Sequence, residues 1–371
     1  MKVIITGGGT GGHIFPALSI LEELQRRDHL LLVQWVGKKG NLEEKICQQR
    51  GIPFRSVPIR GWPRKMSISQ GITASLLAFS IVRSFQILLR FQPQIVIGVG
   101  GYVSFPILWS AQMLNIPTVL HEQNSRLGMA NRILAKKAQK VFLSFPLVEN
   151  LPAEIYPSEK FLITGNPVRH AFLSPPPKEE VCARLGLNPE RKTILVMGGS
   201  QGAHTINLAI SDMLSKLESD EFQIIWITGH NDYEKYKNLA SQSKVSLKIY
   251  PFYEDMADLM SASDLLVARS GASTLAEITV LGKPSILIPF PFATDNHQEY
   301  NARSLENTGA AEVLLDKDCS ADTLLPRIRK ILADPIRLDN MSTSAKKLAR
   351  PLASETIAEE IIKLVFSFSN R

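Results

Sequence analysis

The chain has 371 residues, of which 44% are hydrophobic and 21% charged, and its formal net charge is +7 at pH 7. This composition excludes a disordered protein and is typical of a globular one, and the length favours two domains. The modest excess of Lys and Arg suits an anionic partner, such as a nucleotide, an acidic lipid surface or nucleic acid, without distinguishing among them.

The three cysteines, Cys47, Cys182 and Cys319, are far apart and lack the spacing of a metal site. They predict reduced thiols in a cytoplasmic protein. Because the first residues already form a predicted strand, we expect no secretory signal. The uncharged stretch 91–120 contains Gly and Pro residues that would interrupt a spanning helix, so we predict no transmembrane segment.

The first element is a strand at Lys2–Thr6, followed by the glycine-rich loop Gly7–Gly12, His13 and a helix predicted at Phe15–Arg26. The loop matches the dinucleotide pattern G-x-G-x-x-G, but the next predicted strand, 30–36, ends in Gly-Lys-Lys where ribose binding needs an acidic residue. The sequence therefore disfavours an NAD site. Two interpretations stay open: a loop that approaches phosphate or sugar closely, and a tight βα turn without a ligand.

A long helix is predicted at Ser67–Phe91, and its apolar residues are too many for one narrow stripe. Cations accompany it at Arg60, Arg64, Lys65, Arg83 and Arg90. An apolar face flanked by cations is typical of a helix at a membrane surface. The alternative is a helix that faces the core of an α/β sandwich.

Four polar residues, His121, Glu122, Gln123 and Asn124, stand at the carboxyl end of the predicted strand Thr118–His121. Open α/β sheets bind ligands at the carboxyl ends of their strands, so these residues predict a site. The other elements predicted around them are strand Ile95–Gly98, a helix at about 104–114, helix Ala130–Ala138, and strands Lys140–Leu143 and Phe161–Thr164. The proline-rich segment 174–178 then predicts an interdomain linker.

The second half repeats the strand, glycine loop and helix order. It begins with strand Thr193–Met197, the loop Gly198–Ala203 and a helix at Thr205–Leu217, followed by strands Gln223–Thr228 and Lys248–Phe252. Two such series in tandem predict an α/β protein with two doubly wound, Rossmann-like domains that face each other across a cleft. The last predicted helix, Ser354–Phe366, has an apolar face that needs a partner.

A βαβ unit is predicted between residues 265 and 301. Strand Leu265–Ala268 leads into Ser270-Gly271 and a helix that contains Glu277, and a second strand follows at Pro284–Phe290. The helix N-terminus suits an anion, and the Glu277 carboxylate suits a vicinal diol. Together these features outline a nucleotide site. The alternative is a buried βαβ unit in which Ser270 is an N-cap and Glu277 a solvated helix residue.

Metal chemistry finds little support in the sequence. Asp316-Lys317-Asp318 matches the D-x-D motif of metal-dependent sugar transferases, but its position before the helix predicted at 320–331 favours a capping turn. No His, Cys and Asp residues have metal-ligand spacing, so we predict no metal site and no cofactor. Ser270 does not have the G-x-S-x-G context of a serine hydrolase.

Seven stretches together resemble the MurG family, the UDP-N-acetylglucosamine:lipid I N-acetylglucosaminyltransferases of bacterial peptidoglycan synthesis. They are Gly7–Pro16 (GGGTGGHIFP), Gly98–Ser104 (GVGGYVS), Leu120–Asn124 (LHEQN), Gly165–Arg169 (GNPVR), Gly198–Ala203 (GGSQGA), Arg269–Glu277 (RSGASTLAE) and Asp295–Ala302 (DNHQEYNA). The resemblance implies the GT-B fold, in which a C-terminal helix returns to the N-terminal domain. We therefore expect residues 1–164 plus 354–371 to form an acceptor and membrane-facing domain and residues 165–353 to form the UDP-GlcNAc domain.

The resemblance also implies which residues contact the substrates. The donor sugar nucleotide is expected to contact Thr10, Gly11, Gly12, Asn124, Arg169, Ser200, Tyr253, Ala272, Ser273, Thr274, Leu275, Ala276, Glu277 and Gln298. Within that set, Glu277 is expected to bind the ribose hydroxyls, Gln298 and Asn124 the sugar hydroxyls, and the region of Tyr253 the uracil. The acceptor pyrophosphate is expected at the glycine loops 8–12 and 100–101.

Inverting transfer needs a base for the acceptor hydroxyl and stabilisation of the departing UDP. His13 is the candidate base by its place at the first loop and its near-neutral reference pKa, and Glu122 is its rival. Without a metal site, the diphosphate charge must be met by the helix N-termini after Gly199 and Gly271, with Arg169 nearby.

The resemblance implies an enzyme that transfers GlcNAc from UDP-GlcNAc to the C4 hydroxyl of MurNAc in lipid I, forming lipid II for cell-wall synthesis, cell shape and cell division. The expected location is the cytoplasmic face of the inner membrane, with an anionic membrane surface and cell-wall synthesis proteins as partners and no nucleic acid. Four alternatives stay open: a related enzyme that glycosylates diacylglycerol, a UDP-GlcNAc 2-epimerase, an NAD-dependent oxidoreductase and a non-catalytic nucleotide-sugar binding protein.

Overall fold

The computed structural model describes residues 1–61, 69–148, 151–153, 156–199, 202–219 and 221–369. The chain divides into two units with separate sets of internal contacts, Met1–Arg169 with Pro351–Arg371, and His170–Arg350. The proline-rich segment 174–178, expected to be a linker, lies inside the second unit, where it leads into a helix that begins at Lys178.

The first unit contains a parallel sheet of seven strands in the order β3-β2-β1-β4-β5-β6-β7. These strands are β1 Lys2–Thr6, β2 Leu32–Gly37, β3 Phe54–Ser56, β4 Ile95–Gly98, β5 Thr118–Glu122, β6 Lys140–Leu143 and β7 Phe161–Ile163. The central strands β1, β4 and β5 are buried along almost their whole length, as expected when helices cover both faces of a parallel sheet.

The helices of the first unit cover this sheet. They are α1 Gly11–Arg27, α2 Leu42–Gln49, α3 Ser69–Phe91, α4 Phe105–Met113, α5 Met129–Leu134 and the C-terminal helix Ala353–Ser369. The apolar face of the C-terminal helix packs with α1, because Ile357, Ile361 and Val365 are buried in the same core as Leu21. Its partner is therefore the first helix of the chain.

Helix α3 is buried on one side and exposed on the other. It packs against α4, and Ser80, Ser84 and Leu88 on this side are fully buried or nearly so. Ser80 Oγ donates to the carbonyl oxygens of both Leu76 and Pro58. Among the described residues, Gly71–Phe91 is the one helical stretch long and apolar enough to cross a membrane, a property that core helices share.

The second unit repeats the same sheet order with six parallel strands, β10-β9-β8-β11-β12-β13. The strands are β8 Thr193–Met197, β9 Gln223–Ile227, β10 Leu247–Tyr250, β11 Leu265–Ala268, β12 Ser285–Leu287 and β13 Ala311–Val313. The helices are α6 Lys178–Leu185, α7 His204–Leu214, α8 His230–Tyr236, α9 Leu239–Gln242, α10 Met256–Ala262, α11 Ala272–Leu281, α12 His297–Glu306, α13 Ala321–Leu332 and α14 Pro335–Lys347, and the C-terminal helix of the first unit is α15.

The prediction of two doubly wound, Rossmann-like α/β sheets is confirmed. Two boundaries near the expected site differ from the prediction. Helix α1 begins at Gly11 rather than Phe15, so His13 is its third residue and belongs to the first turn. Strand β5 extends through Glu122, so His121 and Glu122 are strand residues and only Gln123 and Asn124 follow the strand.

Candidate functional site

In the first unit, the predicted site residues lie where the strand order reverses. Strands β1 and β4 are neighbours in the sheet, and the chain leaves them in opposite directions. Ligands of open α/β sheets bind in the crevice that such a reversal creates at the carboxyl ends of the strands. The loops after these two strands are the glycine loops 7–10 and 99–101.

His13 lies in this crevice, in the first turn of α1. Its Nδ1 is 2.9 Å from the side-chain oxygen of Gln123, and its ring is half-buried. The second glycine loop encloses the ring, because a Cβ at Gly100 would lie 2.8 Å from Nδ1, and a Cβ at Gly101 would lie 3.5 Å from Cδ2. Both glycines have positive φ, +85° and +82°, which lets the backbone turn tightly beside the imidazole.

Gln123 connects His13 to a second, fully buried histidine. Its Nε2 lies 3.0 Å from the Val99 carbonyl oxygen and 2.9 Å from Nδ1 of His121. Nε2 of His121 in turn lies 3.3 Å from the carbonyl oxygen of Gly165. Burial lowers the pKa of His121 to about 4, so this ring is neutral at physiological pH.

Glu122, the rival candidate base, holds the turn after β5 together. Its Oε1 accepts hydrogen bonds from the backbone amide and the side chain of Asn124, at 3.1 and 3.3 Å. Its Oε2 accepts from the Gly128 amide and from Asn131 Nδ2, both at 2.9 Å. The carboxylate is 3% exposed, and four N–H donors occupy the acceptor sites of its two oxygens.

Glu43 is a residue of this region that the sequence analysis did not identify. This residue of α2 is fully buried, and its carboxylate accepts from the amides of Gly9 and Lys38 at 3.3 and 3.1 Å. A Cβ at Gly8 would lie 2.5 Å from Oε1 of Glu43, so the first glycine loop packs directly on this carboxylate. The position offers no sequence signal, because an acidic residue early in a helix is ordinary.

The other predicted residues of the first unit lie around the same loops. Thr10 and Gly12 are exposed, Gly11 starts α1, and Asn124 is half-buried. Arg169 places its guanidinium carbon 4.9 Å from the centre of the Phe15 ring, which holds the cation on the first turns of α1. The first unit therefore brings the N-terminus of α1, His13, Asn124 and Arg169 into one region.

The second unit has the equivalent reversal between β8 and β11. The loop after β8 depends on glycine, because a Cβ at Gly198 would lie 2.3 Å from the Ala203 nitrogen. At Gly202 a Cβ would lie 2.3 Å from the Thr228 carbonyl oxygen. The predicted donor contact Ser200 lies outside the described residues.

The loop after β11 leads directly into α11, the helix with the predicted phosphate and ribose contacts. Its N-cap is Gly271, and the first intrahelical bond runs from the Leu275 amide to the Gly271 carbonyl. The earlier amides of a helix have no intrahelical acceptor and point towards an anion in front of it. Ala272, Ser273, Thr274, Leu275 and Ala276 form this beginning of the helix, and half-buried Glu277 follows in the second turn.

Ser270 is not the N-cap of α11, so that part of the alternative interpretation is wrong. Its fully buried side chain donates to the carbonyl oxygen of Gln298, at 2.8 Å. The Gln298 side chain accepts from the Phe290 amide at 3.0 Å. These two bonds fix the start of α12 next to the start of α11. Asp295 and Asn296 precede α12 with φ of +51° and +53°, a left-handed turn that Asn tolerates better than most residues.

Tyr253, the predicted uracil-side contact, lies in the segment after β10. It is half-buried, and its ring lies 5.2 Å from that of Tyr250 in an edge-on arrangement. Its neighbour Phe252 is 51% exposed and stacks on His230. The segment therefore presents an aromatic surface next to the carboxyl edge of the second sheet.

The D-x-D segment forms one helical turn at Asp316–Asp318, followed by Ser320 as the N-cap of α13. Asp316 is paired with Arg269 at 2.5 Å, and its other oxygen accepts from Thr205 Oγ1 at 3.1 Å. In the part of the chain that the structure describes, no group of three or more His, Cys, Asp or Glu side chains could hold a metal ion. The three cysteines are free thiols.

Comparison with family models assigns both halves of the chain. Residues 3–143 match the glycosyltransferase family 28 N-terminal domain, and residues 193–357 match the C-terminal domain of that family.

Individual relatives cover almost the whole chain. A protein of Halalkalibacterium halodurans named UDP-N-acetylglucosamine–N-acetylmuramyl-(pentapeptide) pyrophosphoryl-undecaprenol N-acetylglucosamine transferase is 40% identical over 96% of this chain and 98% of its own length. A protein of the same name from Finegoldia magna is 38% identical over 98% of both chains.

Solved structures of the same family and of related enzymes have a similar fold. The crystal structure of Acinetobacter baumannii MurG superposes with a TM-score of 0.77 at 28% identity, over 98% of this chain and 99% of that chain. A UDP-GlcNAc 2-epimerase from Neisseria meningitidis has a TM-score of 0.69 at 20% identity, over 98% of this chain and 100% of that chain, and so shares the fold alone. The predicted GT-B fold is confirmed, and the chain belongs to glycosyltransferase family 28 and, within it, to the MurG group.

Proposed function

We propose that this chain transfers GlcNAc from UDP-GlcNAc to the C4 hydroxyl of MurNAc in lipid I and so forms lipid II for peptidoglycan synthesis. The observation that carries this function is the 40% identity, along 96% of the chain, to a transferase named for this donor and this acceptor. The family 28 domains in both halves support the same reaction class.

His13 is the proposed general base. The acceptor O4 attacks C1 of GlcNAc on the face opposite UDP, His13 takes the O4 proton, and the bond from C1 to the diphosphate oxygen breaks with inversion at C1. A half-buried imidazole beside a glycine loop combines a near-neutral reference pKa with access to substrate. Glu122 is the weaker candidate, because its carboxylate is buried and already accepts four hydrogen bonds.

The second unit is the proposed donor site. The N-terminus of α11 meets the diphosphate through its first amides and its dipole, which stabilise the charge of departing UDP without a metal ion. Glu277 accepts from the two ribose hydroxyls, and Gln298, held by its bond to the Phe290 amide, binds the donor sugar.

The acceptor site is proposed in the first unit, at the glycine loops around His13. Backbone amides of such loops suit a pyrophosphate, and the positive φ of Gly100 and Gly101 keeps side chains out of this approach. Asn124 and Arg169 are proposed contacts of the donor from the same unit.

Helix α3 is the proposed contact with the cytoplasmic face of the bacterial inner membrane, where the chain acts as a peripheral protein. Ile72, Phe79, Val82 and Leu89 are each more than half exposed and, at 100° per residue, lie in one stripe about 100° wide. Arg83 and Arg90 lie along the edge of this stripe, as in helices that bind an anionic lipid surface.

A cavity of about 380 Å³ beside this stripe supports the same interpretation. Lys38, Lys39 and Arg83 contribute three cations to its lining, and Phe79 contributes an apolar wall. Cations next to an exposed aromatic side chain match a lipid phosphate above its acyl chains.

Co-sedimentation with vesicles tests the membrane contact. Phe79→Asp is expected to weaken binding to phosphatidylglycerol vesicles at least several-fold, and wild type is expected to bind phosphatidylcholine vesicles weakly. Leu30→Asp is the matched control, because Leu30 is 85% exposed in the same unit and lies outside the stripe. Equal binding of Phe79→Asp and wild type would contradict the proposed surface.

An acceptor panel tests the proposed reaction. Radiolabelled UDP-GlcNAc is incubated with a soluble lipid I analogue, with diacylglycerol, or without acceptor, and the labelled products are separated. A labelled disaccharide-lipid with the lipid I analogue alone is the expected result. Label in diacylglycerol would assign the chain to that acceptor instead, and donor binding without any product would leave a nucleotide-sugar binding protein.

A further inference from the structure

The side chain of Gln123 contacts two histidines and one backbone carbonyl group, and this environment determines which way its amide faces. Its Nε2 lies 3.0 Å from the carbonyl oxygen of Val99, and a carbonyl oxygen can only accept. The amide nitrogen must therefore face Val99, because a rotated amide would put two oxygen atoms against each other. The side-chain oxygen then faces Nδ1 of His13, at 2.9 Å.

His121 gives the same orientation independently. Its Nε2 lies 3.3 Å from the carbonyl oxygen of Gly165, so Nε2 carries the ring proton. Burial keeps this ring neutral by lowering its pKa, which leaves Nδ1 as an acceptor. The atom that donates to Nδ1 is Nε2 of Gln123, at 2.9 Å. Val99 and Gly165 thus orient the amide in the same way, from two different parts of the chain.

We infer that Gln123 is a positioning residue: its side-chain oxygen accepts the Nδ1 proton of His13 and so holds the neutral imidazole in the tautomer whose lone pair is on Nε2. The inference rests on the base role proposed above, because a base must present its lone pair to the acceptor hydroxyl. The second nitrogen of a working histidine is generally held by such a partner.

The glycine loop protects this hydrogen bond. A Cβ at Gly100 would lie 2.8 Å from Nδ1 of His13 and 3.0 Å from Oε1 of Gln123, so the Gly100 backbone lies against the two bonded atoms themselves. Gln123 is 2% exposed, which keeps water from replacing its oxygen. A hydrogen bond in such surroundings is stronger than one in water.

A nitrogen NMR spectrum of the histidine side chains tests the inference without any turnover. The full chain is labelled with ¹⁵N-histidine and measured at pH 8, and the resonances of His13 are assigned by their loss in His13→Ala. The expected wild-type spectrum shows a protonated Nδ1 and an unprotonated Nε2. An unprotonated Nδ1 of His13 in the wild type would overturn the inference.

Gln123→Met removes the acceptor and keeps the length of the side chain. We expect His13 in this variant to populate both tautomers and kcat to fall about tenfold to a hundredfold, less than the roughly 10²–10⁴ that a general base supplies in total. The KM for UDP-GlcNAc is expected to stay within about twofold. An unchanged tautomer in this variant, or a higher KM at unchanged kcat, would contradict the inference.

Gln112→Met is the matched control. Gln112 also bridges two elements of the first unit, through bonds to Thr118 Oγ1 and the Leu134 carbonyl, but it makes no contact with His13. It is expected to keep the wild-type tautomer and rate. Should Gln123→Met fail to fold, the tautomer of His13 measured in the wild type still decides the inference. Wild-type turnover in His13→Ala would overturn the base role of His13. The tautomer measured by NMR would then be the test of whether Gln123 orients the imidazole.

Discussion

The Oε2 atom of Glu122 lies 2.9 Å from the side-chain nitrogen of Asn131, and both residues are buried. Strand β5 and the first turn of α5 are thus joined by a charge-assisted hydrogen bond. Because Oε1 binds Asn124 in the same way, the carboxylate organises the whole turn after β5.

Glu122→Gln is therefore expected to lower the stability of the fold more than the rate of GlcNAc transfer. The substitution turns one carboxylate oxygen into an N–H donor that faces other donors, at a cost of about 1–3 kcal/mol in the free energy of unfolding. We expect a lower midpoint in urea and a kcat within about tenfold of wild type at low temperature. An unchanged midpoint with a collapse of kcat would instead make Glu122 the base.

The neutral, buried state of His121 predicts a loss of stability in acid. Its folded-state pKa, about 4, lies below the reference value of 6.5, so the unfolded chain binds the proton first as the pH falls. Stability contributed by this group is complete above pH 6.5 and falls between pH 6.5 and 4, by a total on the order of 3 kcal/mol.

Urea titrations between pH 7.5 and 4.5 measure this effect. The difference in unfolding free energy between wild type and His121→Gln is expected to shrink as the pH falls, because the variant lacks the titrating group. His29→Gln, at an exposed histidine, serves as the control and is expected to follow wild type. A difference that does not depend on pH would rule out a neutral His121.

Two glycines of the loop after β8 allow a test of close packing against backbone strain. Gly199 and Gly202 both have positive φ, +86° and +78°, so alanine brings similar strain at either position, about 1–2 kcal/mol. At Gly202 the new Cβ would meet backbone, 2.3 Å from the Thr228 carbonyl oxygen, whereas at Gly199 no atom of the residues that the structure describes lies within 4 Å.

Gly202→Ala is therefore expected to lose clearly more stability than Gly199→Ala in urea unfolding, and more affinity for UDP-GlcNAc in equilibrium binding. The shared φ makes each variant the control of the other. Equal losses in the two variants would show that the contact with Thr228 does not shape the loop.

The ribose assignment of Glu277 predicts a loss of donor binding. Glu277→Ala is expected to raise the dissociation constant for UDP-GlcNAc about tenfold to a hundredfold, the value of a hydrogen bond to a charged group. A donor with a 2′,3′-dideoxyribose should bind wild type and variant alike. Asp339→Ala removes the same charge from an exposed position of α14 in the same unit and is the control. Equal losses with both donors would contradict the assignment.

Most strands could be predicted from the sequence because they are largely apolar runs that end in glycine or polar residues. The three-residue edge strands β3 and β13 were not predicted. Strands β1, β4 and β8 agree with the prediction residue by residue. The start of α1 could not be predicted, because glycine disfavours helices locally, and it is the packing of the loops that makes Gly11 and Gly12 helical.

The sequence motifs predicted which loops form the candidate site, but they did not predict the hydrogen bonds between residues of different loops. His13 was identified by its loop, but its partner Gln123 is 110 residues away, and no local pattern encodes that hydrogen bond. The same holds for Glu43, which reaches Gly9 across 34 residues. Glu122 was expected to be a rival base because sequence shows an acidic residue at a strand end but not the four donors that surround it.

The most direct test of the account is the initial rate of GlcNAc transfer to a lipid I analogue in excess EDTA, for wild type and His13→Ala, with donor affinity measured separately. We expect full wild-type turnover in EDTA and a fall in kcat of about 10²–10⁴ in His13→Ala at unchanged affinity for UDP-GlcNAc. Loss of wild-type turnover in EDTA, or a His13→Ala variant as fast as wild type, would contradict it.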